Sequence, residues 1–119
     1  MLLLKQSEIN KIAVSLSQIV TIQNPNFLFS FFHQQKREYF NLYLTAERST
    51  NRFDLFLLNL PVDVDLPKGN YLLSIYESED ETTTTEGKTM LIKGKAEVVT
   101  EFPNGDYYTV NTINTINYV

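Results

Sequence analysis

Apolar and polar residues alternate along most of this chain, and helical spacing is scarce. The clearest stretch begins at a turn, Leu66-Pro67-Lys68-Gly69-Asn70, and runs on as Tyr71-Leu72-Leu73-Ser74-Ile75-Tyr76-Glu77. Pro67 presets its own φ, and Gly69 reaches positive φ at no steric cost. Tyr71, Leu73 and Ile75 share one face of a pleat, with Asn70, Leu72, Ser74 and Tyr76 on the other. The second face is partly apolar too, which predicts a central strand covered on both sides.

The remaining segments are read against that strand. Residues 1 to 10 read as an N-terminal arm or edge element. Ile12, Val14 and Leu16 alternate with Ala13, Ser15 and Ser17, and Ile19-Val20-Thr21-Ile22 resumes this strand after a kink at Ser17-Gln18. Asn24-Pro25-Asn26 is a turn signal. Phe27, Phe29 and Phe31 then share a face, and His33 to Arg37 reads as a polar hairpin loop. Phe40, Leu42 and Leu44 oppose Tyr39, Asn41 and Tyr43. Glu47 to Asn51 is turn-like. Phe53 to Leu58 is a strand closed by Pro61, and Val62 to Leu66 leads into the central strand.

Beyond an acidic, threonine-rich loop from Glu77 to Gly87, residues 88 to 99 alternate again. Met90, Ile92, Ala96 and Val98 share a face with Gly94, while Lys93, Lys95 and Glu97 point out. A glycine inside a strand predicts a bulge or a close backbone approach. Pro103-Asn104-Gly105-Asp106 signals a hairpin, with Tyr107 to Asn111 returning. The one short helix candidate is Lys5 to Ile12. About seven strands with frequent turns predict an all-β antiparallel sandwich, immunoglobulin-like or similar, with a small β-barrel as the alternative. The sandwich spans residues 11 to 110, and residues 111 to 119 form a C-terminal arm. Phe29, Phe31, Leu42, Leu55, Leu73, Ile75, Ile92 and Val98 are the expected core.

Composition narrows the class. The 119 residues suit one domain, and 43 % apolar content is too high for disorder. Eight Phe and seven Tyr with only four Gly favour strands. With no Cys, neither a disulfide nor a thiolate metal site exists. A net charge of −4 without a basic cluster argues against nucleic-acid binding. The run Leu2-Leu3-Leu4 is too short for a signal peptide, and no apolar segment reaches membrane-spanning length. Both facts fit a protein that folds in a cytoplasm, with no membrane partner.

Candidate chemistry is thin. His33, the sole histidine, lacks neighbouring ligands in sequence and reads as an exposed loop residue. Glu77, Glu79, Asp80, Glu81 and Glu86 lack the spacing of a known calcium loop and read as an exposed, mobile, metal-free loop. Asp54, Asp63 and Asp65 are not read as metal ligands either; Asp63 and Asp65 alternate with Val62 and Val64 on a strand-like stretch and read as facing water. No nucleophile elbow or phosphate-cradling glycine loop occurs, so no catalytic, cofactor-binding or metal-ligating residue is assigned. Tyr39, Tyr43 and Tyr76 make the best partner-facing patch, because phenols stay wet while their rings bury area. The triplets Val110-Asn111-Thr112, Ile113-Asn114-Thr115 and Ile116-Asn117-Tyr118 suit neither helix nor flat strand. They read either as a frayed end or as an arm whose Val110, Ile113 and Ile116 engage a neighbouring subunit.

Four segments carry a family resemblance. Pro25-Asn26-Phe27-Leu28-Phe29-Ser30-Phe31, Arg52-Phe53-Asp54-Leu55-Phe56, Gly69-Asn70-Tyr71 through Ile75-Tyr76-Glu77, and Ile92-Lys93-Gly94-Lys95-Ala96-Glu97-Val98 occur in that order. Together they resemble small virion proteins of tailed bacteriophages of Bacteroidetes, the crAss-like group among them. The resemblance implies a non-enzymatic β-sandwich in a virion, as an auxiliary or decoration protein bound to the capsid. It implies the major capsid protein, other virion subunits or further copies as partners. A neck, tail or head-fibre protein, or a module for a host-surface glycan, is the alternative.

Overall fold

A strand at residues 69–78 is the middle of the larger of two stacked sheets. The computed structural model describes residues 2–16, 19–22, 25–49, 53–80, 83–100 and 114–115. Among these, nine strands occur and no helix: β1 (Leu2–Lys5), β2 (Ile9–Val14), β3 (Asn26–His33), β4 (Glu38–Leu44), β5 (Arg48–Ser49), β6 (Asp54–Asn59), β7 (Gly69–Ser78), β8 (Thr89–Val99) and β9 (Asn114–Thr115). One sheet runs β1-β8-β7-β3-β4 and the other β5-β6-β2-β9. The two sheets do not close into a barrel, and the fold is a sandwich.

The connections follow the immunoglobulin plan. Strands β2, β6 and β5 take the places of B, E and D, while β4, β3, β7 and β8 take those of C′, C, F and G. Each of those neighbour pairs is antiparallel. Two pairings depart from a purely antiparallel sandwich. Strand β1 runs parallel to β8, from Leu2 opposite Ala96 to Lys5 opposite Val99, and β9 runs parallel to β2 at Ile12 and Ala13.

The helix candidate at Lys5 to Ile12 is instead a switch between sheets. The buried amide of Asn10 receives the Lys5 N–H at 2.9 Å and donates to the Lys5 carbonyl at 3.0 Å. That side-chain bridge replaces helical hydrogen bonding and turns the chain through Ser7, whose φ is 63°. Leu2 and Leu4 of β1 lie in the core.

The core forms where the inner faces meet. Tyr71, Leu73 and Ile75 of β7 join Phe29 and Phe31 of β3, Ile92 and Val98 of β8, and Ile12 and Val14 of β2. Phe56 of β6 crosses from the opposite sheet and meets Phe29 edge-on, with ring centroids 5.0 Å apart. Leu42 packs against this core only in part, being on an edge strand. Leu55 does not join it: β6 buries Asp54, Phe56 and Leu58, which turns Leu55 to the other side.

Several local expectations are corrected. Residues 19–22 form no strand, and neither do residues 62–66. Val62 is exposed. The β7–β8 register shifts between Ile75 and Tyr76, so Met90 lies opposite Tyr76. This bulge removes Met90 from the face of Ile92 and leaves it 47 % exposed. The outer side of β7 is not evenly covered either: Leu72 is 40 % exposed, while Ser74 and Tyr76 are half-buried. The turn residue Asn24, the kink at Ser17-Gln18, the 103–106 hairpin and the 107–111 strand lie outside the described residues.

Candidate functional site

The titratable side chains that invite a chemical interpretation turn out to hold the scaffold together. His33 is only 3 % exposed, at the end of β3 rather than in a solvated loop. Its Nδ1 accepts the Lys36 N–H at 3.1 Å, which leaves Nε2 to donate to the Lys68 carbonyl, also at 3.1 Å. Its ring stands edge-on to Tyr71 with centroids 4.8 Å apart. A Cβ on Gly69, where φ is 144°, would come within 2.7 Å of His33 Nε2. The glycine is thus required by the backbone and by the histidine together.

Tyr71 completes this corner by donating its hydroxyl to the Pro67 carbonyl. A tyrosine near the start of strand F, bonded to backbone a few residues upstream, is the tyrosine corner of immunoglobulin folds. Burial first, then the carboxylates of Asp65 and Glu38, push its phenol far above the ordinary value. It therefore remains a donor at any physiological pH.

Glu77 and Asp54 are likewise internal, in the case of Glu77 against the expectation of an exposed loop residue. Glu77 has no exposed surface; it accepts the Thr21 N–H at 2.7 Å and bonds the Thr21 hydroxyl. It thereby fastens residues 19–22 to the end of β7 and does not belong to the acidic loop. Asp54 is buried and accepts the Leu16 N–H at 3.0 Å. Asp63 and Asp65 are exposed. No group of three or more His, Asp or Glu positioned around a cation occurs among the described residues.

A groove lies instead on the outer face of the five-stranded sheet. Strand pairing lines up three rows across β4, β3 and β7. Tyr39, Phe32 and Leu72 form one row, Asn41, Ser30 and Ser74 the next, and Tyr43, Leu28 and Tyr76 the third. The middle row has short polar side chains and its neighbours have bulky ones, so the surface dips along Ser30. The resulting groove has a volume of about 470 Å³, within the usual range for ligand sites.

The loop between β7 and β8 forms the wall. Asn41 Nδ2 donates to the Thr83 carbonyl at 2.8 Å, and Asn26 Nδ2 donates to the Asp80 carbonyl at 3.2 Å. Lys88 bonds the Thr84 carbonyl and approaches Asp80 at 3.6 Å. The loop is thereby drawn over the sheet, and Thr84 and Thr85 line the groove. The expectation of a wholly exposed loop fails here: Glu77 and Ser78 are buried, and Thr85 is half-buried.

Of the tyrosines singled out from sequence, Tyr39 and Tyr76 line this groove. Tyr39 is 69 % exposed and leans on Phe32, with ring centroids 4.7 Å apart. Tyr43 lies on the same face beyond the groove, its hydroxyl 3.5 Å from Ser78 Oγ. Val110, Ile113 and Ile116 fall outside the described residues. Phe32, Leu72, Asn41 and the two threonines were not singled out from sequence. Their outward alternation on adjacent strands was the available signal, but it has meaning only once the register is known. Comparison with protein-family models, curated proteins and solved structures gives no match for this chain.

Proposed function

We propose that the protein is a non-enzymatic component of a tailed bacteriophage virion, an auxiliary or decoration protein carried on the capsid, and that the outer face of its five-stranded sheet is its recognition surface. The observation behind this is the exposure of large apolar side chains on that one face. Tyr39, Leu72 and Met90 stand on it, each 40 % exposed or more, whereas the other exposed large apolar residues described, Ile9, Ile19 and Val62, are dispersed over the rest of the molecule. Such clustering marks contact surfaces more often than scattered apolar residues do. The four segments that resemble phage virion proteins supply the particle context. The buried His33, Asp54 and Glu77 serve the fold, which fits a protein whose role is contact rather than catalysis. Asn114–Thr115 pair with β2 of their own chain, so the sheet face rather than the C-terminal segment is taken as the contact surface.

Quantitative mass spectrometry of gradient-purified particles tests the proposal. The protein should co-purify with the major capsid protein at a fixed ratio through successive gradients. Its loss from intact particles would overturn the virion role, and electron cryomicroscopy of the particles separates head from neck or tail.

A further inference from the structure

The groove on this face has a composition that selects its ligand, and we propose that it binds a neutral saccharide. The inference rests on the reading of the outer sheet face as a recognition surface and names the ligand class. Three features of the groove point the same way.

First, none of the described side chains lining the groove is charged. A site for phosphate, a carboxylate or a basic peptide would offer an opposite charge, since that is how such groups are held. Lys93 and Lys95 are exposed on the neighbouring β8, opposite Ser74 and Leu72, but they do not line the groove.

Second, the groove combines ring faces with hydroxyls. Phe32, Tyr39 and Tyr76 supply aromatic surface, and Ser30, Ser74, Thr84 and Thr85 supply hydroxyl groups that both donate and accept. A pyranose ring presents the complementary set, with C–H bonds on its faces and hydroxyls around its rim. A purely apolar ligand would leave the row of Ser30, Ser74 and Asn41 without partners. A peptide strand would seek an open sheet edge, whereas Ser30 and Ser74 are flanked by paired strands on both sides.

Third, one acceptor is left over. Asn41 donates its amide N–H to Thr83, but its Oδ1 is buried without a hydrogen-bond partner among the described residues. A buried acceptor without a donor costs free energy, and such groups in native proteins call for an explanation. A sugar hydroxyl entering beside Thr84 is a donor of the right kind. Asn41 lines the groove with its N–H committed to the Thr83 carbonyl and its own carbonyl still without a donor.

The test is nuclear magnetic resonance titration of the isotope-labelled full chain with three neutral probes, maltohexaose, cellohexaose and mannohexaose, and one acidic probe, a hyaluronan hexasaccharide. At least one neutral probe should shift the amides of Ser30, Asn41, Ser74 and Thr84 in a saturable way. Tyr39→Ala, at an exposed position, should weaken that binding about tenfold, equivalent to about 1.4 kcal/mol, while Tyr39→Phe keeps the ring and most of the affinity. Asn41→Asp, which retains the acceptor but gives up the N–H and adds charge, should weaken it further. Absence of shifts with all three neutral probes overturns the proposal. So do shifts outside the groove, equal binding by Tyr39→Ala, or preference for hyaluronan through Lys93 and Lys95. Saccharide binding by a protein absent from particles would remove the virion role and leave the groove assignment intact; a particle protein without these shifts would do the reverse.

Discussion

The two faces of the five-stranded sheet are built from the same strands and do opposite work. Facing inward, β3 and β7 present Phe29, Phe31, Tyr71, Leu73 and Ile75, all buried. Facing outward, the same strands present Phe32 and Leu72 beside Ser30 and Ser74. Between its polar ends at His33 and Glu77, the inner face of these two strands is bulky and apolar, so it fills against Phe56 from the other sheet. On the outer face a row of small polar residues interrupts the bulky ones, so the surface dips. Side-chain alternation assigns the faces, and the volume order within each face decides whether it packs or binds.

The largest expected effect belongs to the inner face. Leu73→Ala should destabilise the protein by about 2–5 kcal/mol, from lost burial plus a cavity. Urea unfolding followed by circular dichroism measures it. A loss below about 1 kcal/mol would mean the inner face is looser than its burial implies.

An intermediate effect belongs to the tyrosine corner, where the inner face meets a turn. Tyr71→Phe should cost about 1–3 kcal/mol, because the Pro67 carbonyl loses its buried donor. It should also change the pH profile. The folded state holds the phenol proton more tightly than the unfolded chain does, since the pKa is raised on folding. The stabilisation is therefore whole below the unfolded tyrosine value of about 10 and is lost as pH rises above it. Thermal melts from pH 8 to 11 should show an alkaline decline in the native protein that is shallower in Tyr71→Phe.

The smallest effect belongs to the outer face. Leu72→Ser should alter stability by no more than about 1 kcal/mol, since the side chain is 40 % exposed and its loss encloses no cavity. The same urea measurement applies. A loss comparable to that of Leu73→Ala would erase the distinction between the two faces.

Much of the inner face is legible from sequence because its signal is local. The alternation of Tyr71, Leu73 and Ile75, and of Phe29 and Phe31, needs no knowledge of partners. Leu55 shows where that fails: β6 carries large apolar residues on both sides, so periodicity cannot say which side faces in. Met90 fails for another reason, because a bulge changes the phase of β8 between Ile92 and Thr89. His33 and Glu77 read as solvated, and Asp54 carries no local signal of burial; all three are buried because distant backbone groups at Lys68, Thr21 and Leu16 receive or supply their hydrogen bonds. The groove is least legible, since it depends on three strands in register and on a loop returning over them. Two of its aromatic residues, Tyr39 and Tyr76, were still visible as outward positions.

The parallel pairing of β1 with β8 has a consequence for how the molecule comes into being. Leu2 and Leu4, which end with no exposed surface, find their backbone partners only at Ala96 and Val98. Docking that strand closes a loop of nearly the whole chain, and contacts so distant in sequence slow folding. During synthesis the first strand must wait, its leucines uncovered, until β8 has left the ribosome. The β2–β6 pair of the second sheet is available by residue 59, before β7 and β8 exist, although that sheet in turn gains its β9 edge only at residues 114–115.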